Sequence, residues 1–393
     1  MLKNIGRNNR LVMLAVFVWA LSEGLWYNLR QLYLAELGAT AEQIGTVLAA
    51  AAVASAVVQI PAGLLADRVG PQRVMLVAWW LGVLGDVLMA LATTWQAVVP
   101  GMIVNRLSQA ANPALVAYVL LSLQDRDRPG RSERIVTTVF GVYPAAMIFA
   151  PTLGGFIAEK AGIRTDLWIA AGGVALAALV ISRTGRVAQG DRTQQARPAL
   201  LFRNRTFLAL AGYYTLTLVA LYVGYSLAPN FLQDVRGFSL ATIGVLFSIV
   251  SVGGLAGNIV VGRLCPRWSF GGLLVVIWLA FLGLWQVGTL AGTGVAFFMF
   301  GGISTMWALV TAGIGRAAGP RHQGLALGIM ESLISVSLAV AAWIAGCLYD
   351  LTPTHDLPLI AGLISIPLIL GVSFLVPLGG SQPAPECPTT ELR

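Results

Sequence analysis

Four ionisable side chains fall inside stretches that are otherwise apolar: Glu23, Asp86, Arg106 and Glu331. A charge near the centre of a membrane helix costs about 2.5–3.5 kcal/mol on insertion scales, so the four together cost about 10 kcal/mol. They must therefore face an aqueous cavity, pair with one another or stay protonated. Carboxyl groups shielded from water exchange protons nearer physiological pH than exposed ones do, which makes Glu23, Asp86 and Glu331 candidates for proton coupling. Glu23 leads. Trp19, Glu23, Trp26 and Arg30 are spaced by 4, 3 and 4 residues and so share one helix face. A carboxylate between aromatic rings suits a lipophilic cation, through charge and cation–π attraction. The plainer alternative is a structural Glu23–Arg30 network with tryptophans facing lipid. Arg106 can pair with any of the three acids. Trp19, Trp26, Tyr27, Arg30, Tyr118, Tyr143, Tyr222, Tyr225, Asn230 and Trp307 complete the set that could line a cavity.

Long apolar segments must position these groups. Hydrophobic residues make up 57% of the 393 and charged residues only 11%, against about 25% charged in soluble domains. So few charges cannot cover a water-facing surface, and lipid is the expected solvent. The 44 glycines and 18 prolines suit membrane helices, where small residues allow close packing and neighbours repair proline breaks. A span needs about 20 apolar residues. This predicts an all-α membrane protein of about twelve spans, near 11–34, 41–66, 73–94, 96–123, 134–158, 165–183, 206–232, 239–263, 271–290, 293–319, 323–348 and 355–377. The first stretch is too long for a signal-peptide core and reads as a retained helix.

Charge orients the spans. With both termini in the cytoplasm, 20 basic residues lie inside and 4 outside, with Arg106 within a span. That is the bias of cytoplasmic loops. The net charge of +8 thus marks loops and predicts no nucleic-acid partner. Cys265, Cys347, Cys387, His322 and His355 lack metal-ligand spacing, so neither metal nor cofactor is expected. Lysine occurs only at Lys3 and Lys160, a usage that points to a GC-rich bacterial genome and hence a bacterial cytoplasmic (inner) membrane.

The longest polar connection divides the chain into a six-helix bundle over 1–183, a cytoplasmic loop over 184–205, a second bundle over 206–380 and a tail over 381–393. The halves look duplicated. Leu37-Gly38 and Ile44-Gly45 match Arg236-Gly237 and Ile243-Gly244 at an offset of 199, as does Gly63-Leu64-Leu65 with Gly262-Arg263-Leu264. Gly155-Phe156-Ile157-Ala158-Glu159 matches Gly346-Cys347-Leu348-Tyr349-Asp350 at an offset of 191. Repeated halves suit a rocking carrier with its site between them near the midplane.

The run Gly63-Leu64-Leu65-Ala66-Asp67-Arg68-Val69-Gly70-Pro71-Gln72-Arg73 resembles the signature loop of the major facilitator superfamily, with Pro71-Gln72 in place of a basic pair. The resemblance implies a conformational latch at Gly63, Asp67, Arg68, Gly70 and Arg73. Arg106-Leu107-Ser108-Gln109 resembles a fourth-helix element of the family, which ties Arg106 to proton coupling or the binding site and makes Gln109 part of that helix motif. Ala150-Pro151-Thr152-Leu153-Gly154-Gly155, preceded by Gly141, resembles the fifth-helix motif of the proton-coupled drug antiporters. It assigns Pro151, Gly154 and Gly155 to a bent, closely packed helix, and Asn112-Pro113 reads as a kink.

Two readings follow. The first is a secondary active transporter of the antiporter type, a multidrug efflux protein expelling amphiphilic or cationic small molecules by alternating access, with protons as coupling ion and the chain working as a monomer. The second is a carrier of the same fold for a lysolipid, an organic anion or a sugar, which Arg30 and Arg106 would suit in the anion case. Membrane-embedded enzyme activity is a remote third. The chain shows no catalytic constellation, so no enzyme is expected.

Overall fold

The computed structural model describes residues 6–123, 131–185, 203–262, 266–318 and 323–373. The described residues form helices and no strands. In chain order these are α1 (Arg7–Trp26), α2 (Arg30–Glu36), α3 (Ala41–Val69), α4 (Pro71–Leu91), α5 (Trp95–Leu107), α6 (Ala111–Leu123), α7 (Arg131–Ala161) and α8 (Ile163–Ser182). Then come α9 (Arg205–Tyr225), α10 (Ala228–Asp234), α11 (Leu240–Val261), α12 (Pro266–Gln286), α13 (Leu290–Phe300), α14 (Gly302–Ala318), α15 (Gln323–Tyr349) and α16 (Leu357–Ser373). Ten segments among the described residues are long and apolar enough to cross a membrane. Two shorter pieces complete the expected twelve. One is α5 with α6, split by a 3-10 turn over Ser108–Ala110, and the other is the 17-residue α16. Most of the predicted central loop, residues 186–202, and the tail lie outside the described residues.

Four of the twelve spans are broken, and they are the first, fourth, seventh and tenth. Pro113 has no N–H to give the carbonyl of Gln109 four residues earlier, and the 3-10 turn sits there. Pro229 likewise has no N–H to give the carbonyl of Tyr225 four residues earlier, where α9 ends and α10 follows. In the tenth span the break is at Gly301, where an added Cβ would meet Gly253 Cα at 2.7 Å. The first span breaks over Tyr27–Leu29. Trp19, Glu23 and Trp26 therefore share a helix, but Arg30 begins a new one. The expectation of one continuous face through Arg30 is corrected, because the turn resets the helical phase.

α1–α8 pack mainly on each other, as do α9–α16, and the two sets meet chiefly along α3 with α15 and α7 with α11. Each seam is a glycine pair. A Cβ on Gly346 would lie 3.0 Å from Gly45 Cα, and one on Gly155 would lie 3.0 Å from Gly244 Cα. Lacking side chains, the helix backbones touch. These four glycines are the ones the internal duplication aligns. An acid closes each seam. The Ala41 N–H at the start of α3 donates to Asp350 Oδ2 at 3.3 Å, and the Ala241 N–H at the start of α11 donates to Glu159 Oε2 at 2.8 Å. Carboxylates suit helix N-termini, whose free N–H groups carry partial positive charge. The outer surface is apolar, with Val57, Leu208 and Leu368 well exposed, as lipid contact requires.

Candidate functional site

Between the two sets of helices lies a cavity of about 260 Å³. The helix breaks build much of its wall. The first supplies Tyr27 and Asn28, with Arg30 and Gln31 from the first turn of α2, and the seventh-span break supplies Ser226 after Tyr222 and Tyr225 of α9. Leu48 and Ser55 of α3, Met102 and Arg106 of α5, Phe247 of α11, and Ser335 and Leu338 of α15 add to it. No Asp or Glu among the described residues lines it.

Arg106 stands at the edge of a buried polar chain. Its Nη2 donates to Glu23 Oε1 at 2.9 Å and to Asn105 Oδ1 at 3.1 Å. Asn105 Nδ2 in turn donates to Asp86 Oδ1 at 2.8 Å. Glu23 is 4% exposed and Asp86 1%, so both acids are sealed behind the arginine. The Arg106 guanidinium also lies 5.3 Å from the Tyr27 ring centroid. Close helix packing makes the chain possible. A Cβ on Gly85 of α4 would meet the Asn105 backbone N at 2.5 Å, and only that approach brings Asp86 within reach of Asn105. Asp86 Oδ2 and Arg106 Nε have no hydrogen-bond partner among the described residues.

Arg30 differs. Its guanidinium sits 4.1 Å from the same Tyr27 ring centroid, its Nε is buried without a partner, and no carboxylate pairs with it among the described residues. The cavity wall therefore holds two guanidinium groups, one neutralised by Glu23 and one not.

The other residues singled out from sequence lie elsewhere. Trp19 stacks on Trp79 at 6.0 Å and meets Tyr143 at 5.5 Å, and Trp26 is buried in the apolar core. Tyr118 donates to the Gly185 carbonyl at 2.8 Å. Asn230 is buried with its Oδ1 unpartnered. Trp307 bonds Glu331, far from the arginine network in chain and outside the cavity lining. In the signature loop, Gly70 adopts φ +95° and starts α4 with Pro71 at its first position. Gln72, where the family has a basic residue, donates to the carbonyls of Ile181 and Thr184 at 3.1 and 2.7 Å, tying α4 to the end of α8. Arg68 and Arg73 are exposed nearby. Gly63 and Asp67 belong to the last turns of α3, with their side chains outside the described set. Gln109 accepts from Asn112 at 2.8 Å across the 3-10 turn. The fifth-helix motif wedges α7 between two helices: Gly154 lies against the Leu25 backbone of α1, and Pro151 and Gly155 lie against Gly244 of α11.

Sequence reasoning passed over Asn28, Gln31 and Asn105, whose signal was an amide side chain inside an apolar stretch. It also passed over Asp166, wholly buried at the start of α8 with neither carboxylate oxygen partnered among the described residues. Cys347 is half-buried, and no group of three or more His, Cys, Asp or Glu able to hold a metal occurs among the described residues.

The Major Facilitator Superfamily matches residues 11–301 of this chain. Solved structures with the same fold include the nucleoside transporter NupG, 13% identical with a TM-score of 0.75 over 94% of this chain and 98% of that one. The human organic anion transporter MFSD10 is 15% identical with a TM-score of 0.69, over 94% of this chain and 99% of that one. A bacterial homologue of the human lysosomal transporter Spinster, inward-facing and occupied, is 14% identical with a TM-score of 0.70, over 94% of this chain and 96% of that one. At these identities the likeness is one of fold. The family match covers well over half of the sequence, and the chain belongs to the major facilitator superfamily, an integral membrane protein with a transporter fold.

Proposed function

We propose that this member of the major facilitator superfamily is a secondary active transporter that carries a small organic anion by alternating access, with protons as the coupling ion. One observation carries the reading: the cavity between the halves is lined by Arg30 and Arg106 and by no acid among the described residues. Glu23, which the sequence offered as a binder of cations, is occupied by Arg106 at 2.9 Å. A lipophilic cation would meet the uncompensated guanidinium of Arg30, with the one nearby carboxylate already taken by Arg106. The volume of about 260 Å³ sits just below the range of about 300–1,000 Å³ usual for drug-sized ligands, which favours a small cargo over a lysolipid. The anion transporter among the structural neighbours fits the same choice.

In this reading Glu23 and Arg106 do the coupling. A cargo anion and the Glu23 carboxylate compete for one guanidinium. Drawing Arg106 towards the cargo leaves Glu23 buried and unpaired, and taking up a proton relieves that cost. Asp86 and Asn105 hold the other side of Arg106 and set its position. With both termini cytoplasmic, the two acid-closed glycine seams lie on the outer side, so the described state is closed outward. The protein would work as a monomer in a bacterial cytoplasmic membrane.

The test is accumulation of 1-naphthalenesulfonate, a fluorescent anion that stays charged, in proteoliposomes with and without an imposed pH gradient. Gradient-driven accumulation by the wild type, and its loss in Glu23→Gln with exchange retained, is the expected result. Movement of a lipophilic cationic dye in place of the sulfonate would restore the drug-efflux reading. Transport of the anion that ignores the pH gradient would remove the proton.

A further inference from the structure

The two sides of the cavity are chemically unlike. Every charged group on its wall comes from the N-terminal helices, as Arg30 and Arg106. The C-terminal helices contribute rings and hydroxyls. Tyr225 is the centre of a cluster in edge-on contact, with ring centroids 5.9 Å from Tyr222, 6.1 Å from Phe247 and 5.2 Å from Phe300. Of these, Tyr222, Tyr225 and Phe247 reach the cavity.

Arg106 is already neutralised, so the wall carries a single uncompensated positive charge, at Arg30. A half-buried guanidinium whose Nε is buried and unpartnered among the described residues, and which has Tyr27 as its aromatic and hydrogen-bonding neighbour, is costly unless something accepts its remaining hydrogen bonds. The Tyr27 ring lies 4.1 Å from the planar group and its hydroxyl takes one hydrogen bond, which fixes the orientation and leaves the remaining N–H groups for an acceptor. Beside it, Gln31 donates its Nε2 to the Ser226 carbonyl of the other half at 3.3 Å, while its Oε1 is unpartnered.

We propose that the cargo is a small aromatic monoanion. Arg30 takes the anionic head, and the Tyr222–Tyr225–Phe247 wall takes the ring. This rests on the anion-carrier reading and narrows it. While Glu23 holds Arg106 the wall carries one net charge, which selects one charge on the cargo. The head taken by Arg30 is then the anion that competes with Glu23 for Arg106, since both guanidinium groups lie by the Tyr27 ring. Edge-on ring clusters favour a further ring, by about two- to tenfold over a saturated ring of like size. Since the head is read by one half and the ring by the other, the cargo bridges the two bodies that rock, and neither half alone recognises it.

Binding can be measured without any gradient, so a failure of proton coupling leaves this test intact. Thermal unfolding of the purified protein is followed against increasing benzoate, cyclohexanecarboxylate, benzamide and benzyltrimethylammonium, the midpoint shift giving apparent affinity. Benzoate should bind best, cyclohexanecarboxylate two- to tenfold more weakly, and the neutral and cationic probes should give no shift. Arg30→Gln should weaken benzoate by about tenfold or more, as loss of a charge-assisted bond predicts, with Arg30→Lys recovering part of it. Tyr225→Leu should bring benzoate and cyclohexanecarboxylate together while sparing the preference for anions, and it serves alone if Arg30→Gln does not fold. No benzoate shift, wild-type benzoate affinity in Arg30→Gln, or a stronger shift from benzyltrimethylammonium would overturn the proposal.

Discussion

The N- and C-terminal halves repeat one another where they meet and differ in what they bury. At the seams the correspondence is close: Gly45 faces Gly346, Gly155 faces Gly244, and an acid closes each pair on a helix start. Away from the seams it ends. The N-terminal helices bury Glu23, Asp86, Arg106 and Asp166, three of them in one connected network. The C-terminal helices hold the half-buried Glu331 with Trp307 as its partner and Arg236, which donates to the carbonyls of Leu284 and Trp285, and they turn rings and hydroxyls to the cavity. Contacts that must open and close in turn need matching halves, whereas coupling chemistry needs only one charged centre. Duplication preserved the first and let the second become one-sided.

The largest expected effect tests that one-sidedness. Arg106→Gln leaves Glu23 buried without its partner, and breaking a buried pair from one side costs about 3–5 kcal/mol. It should lower the unfolding temperature sharply and abolish transport. The double variant Glu23→Gln with Arg106→Gln should regain part of the stability and none of the coupling. Glu331→Gln, in the other half, should do far less to either. If Glu331→Gln proves as damaging as Arg106→Gln, the halves share the chemistry after all.

Matching of the seams is tested next. Gly155→Ala and Gly346→Ala each force a methyl against backbone, at 2.5 Å from the Leu240 carbonyl and 2.6 Å from the Ala41 carbonyl. Overpacking of this kind costs about 1–3 kcal/mol, and either change should open the seam. Labelling of a cysteine placed at Ser226 by a membrane-impermeant maleimide from the sealed side should rise to a similar extent in both. A response confined to one variant would show that the seams are not equivalent.

The smallest effect separates the two acids. Glu159 binds its helix start at 2.8 Å and Asp350 at 3.3 Å. Glu159→Gln should raise the same labelling more than Asp350→Asn does, with little change in unfolding temperature for either. Reversed order would mean that the longer contact is the tighter clasp.

Much of the fold was legible in the residues because lipid imposes long apolar helices and leaves few ways to write them. The twelve spans, the repeated glycines and the misplaced charges at Glu23, Asp86, Arg106 and Glu331 all follow from one-dimensional pattern. Pro113 reads as a kink and Pro229 stands at a second break, but Pro61, Pro144, Pro151 and Pro367 lie inside unbroken helices, so proline alone does not say where a helix stops. The break after Trp26 was not legible, for no proline or glycine marks it. That break alone removes Arg30 from the face of Glu23 and turns it towards the cavity.

By itself, then, the sequence determined the solvent, the number of crossings, the internal repeat and the identity of the buried charged groups, because each is a property of local composition and spacing. Only the tertiary structure decided that Arg106 binds Glu23 while Asn105 holds Asp86, that Arg30 is left uncompensated, and that Tyr222 and Tyr225 reach the cavity while Trp26 and Tyr118 do not. Glu23 and Arg106 are 83 residues apart, and the partner of a charged side chain is set by which helix faces pack together. That packing depends on where glycine lets two backbones touch, a relation between distant segments that no local pattern encodes.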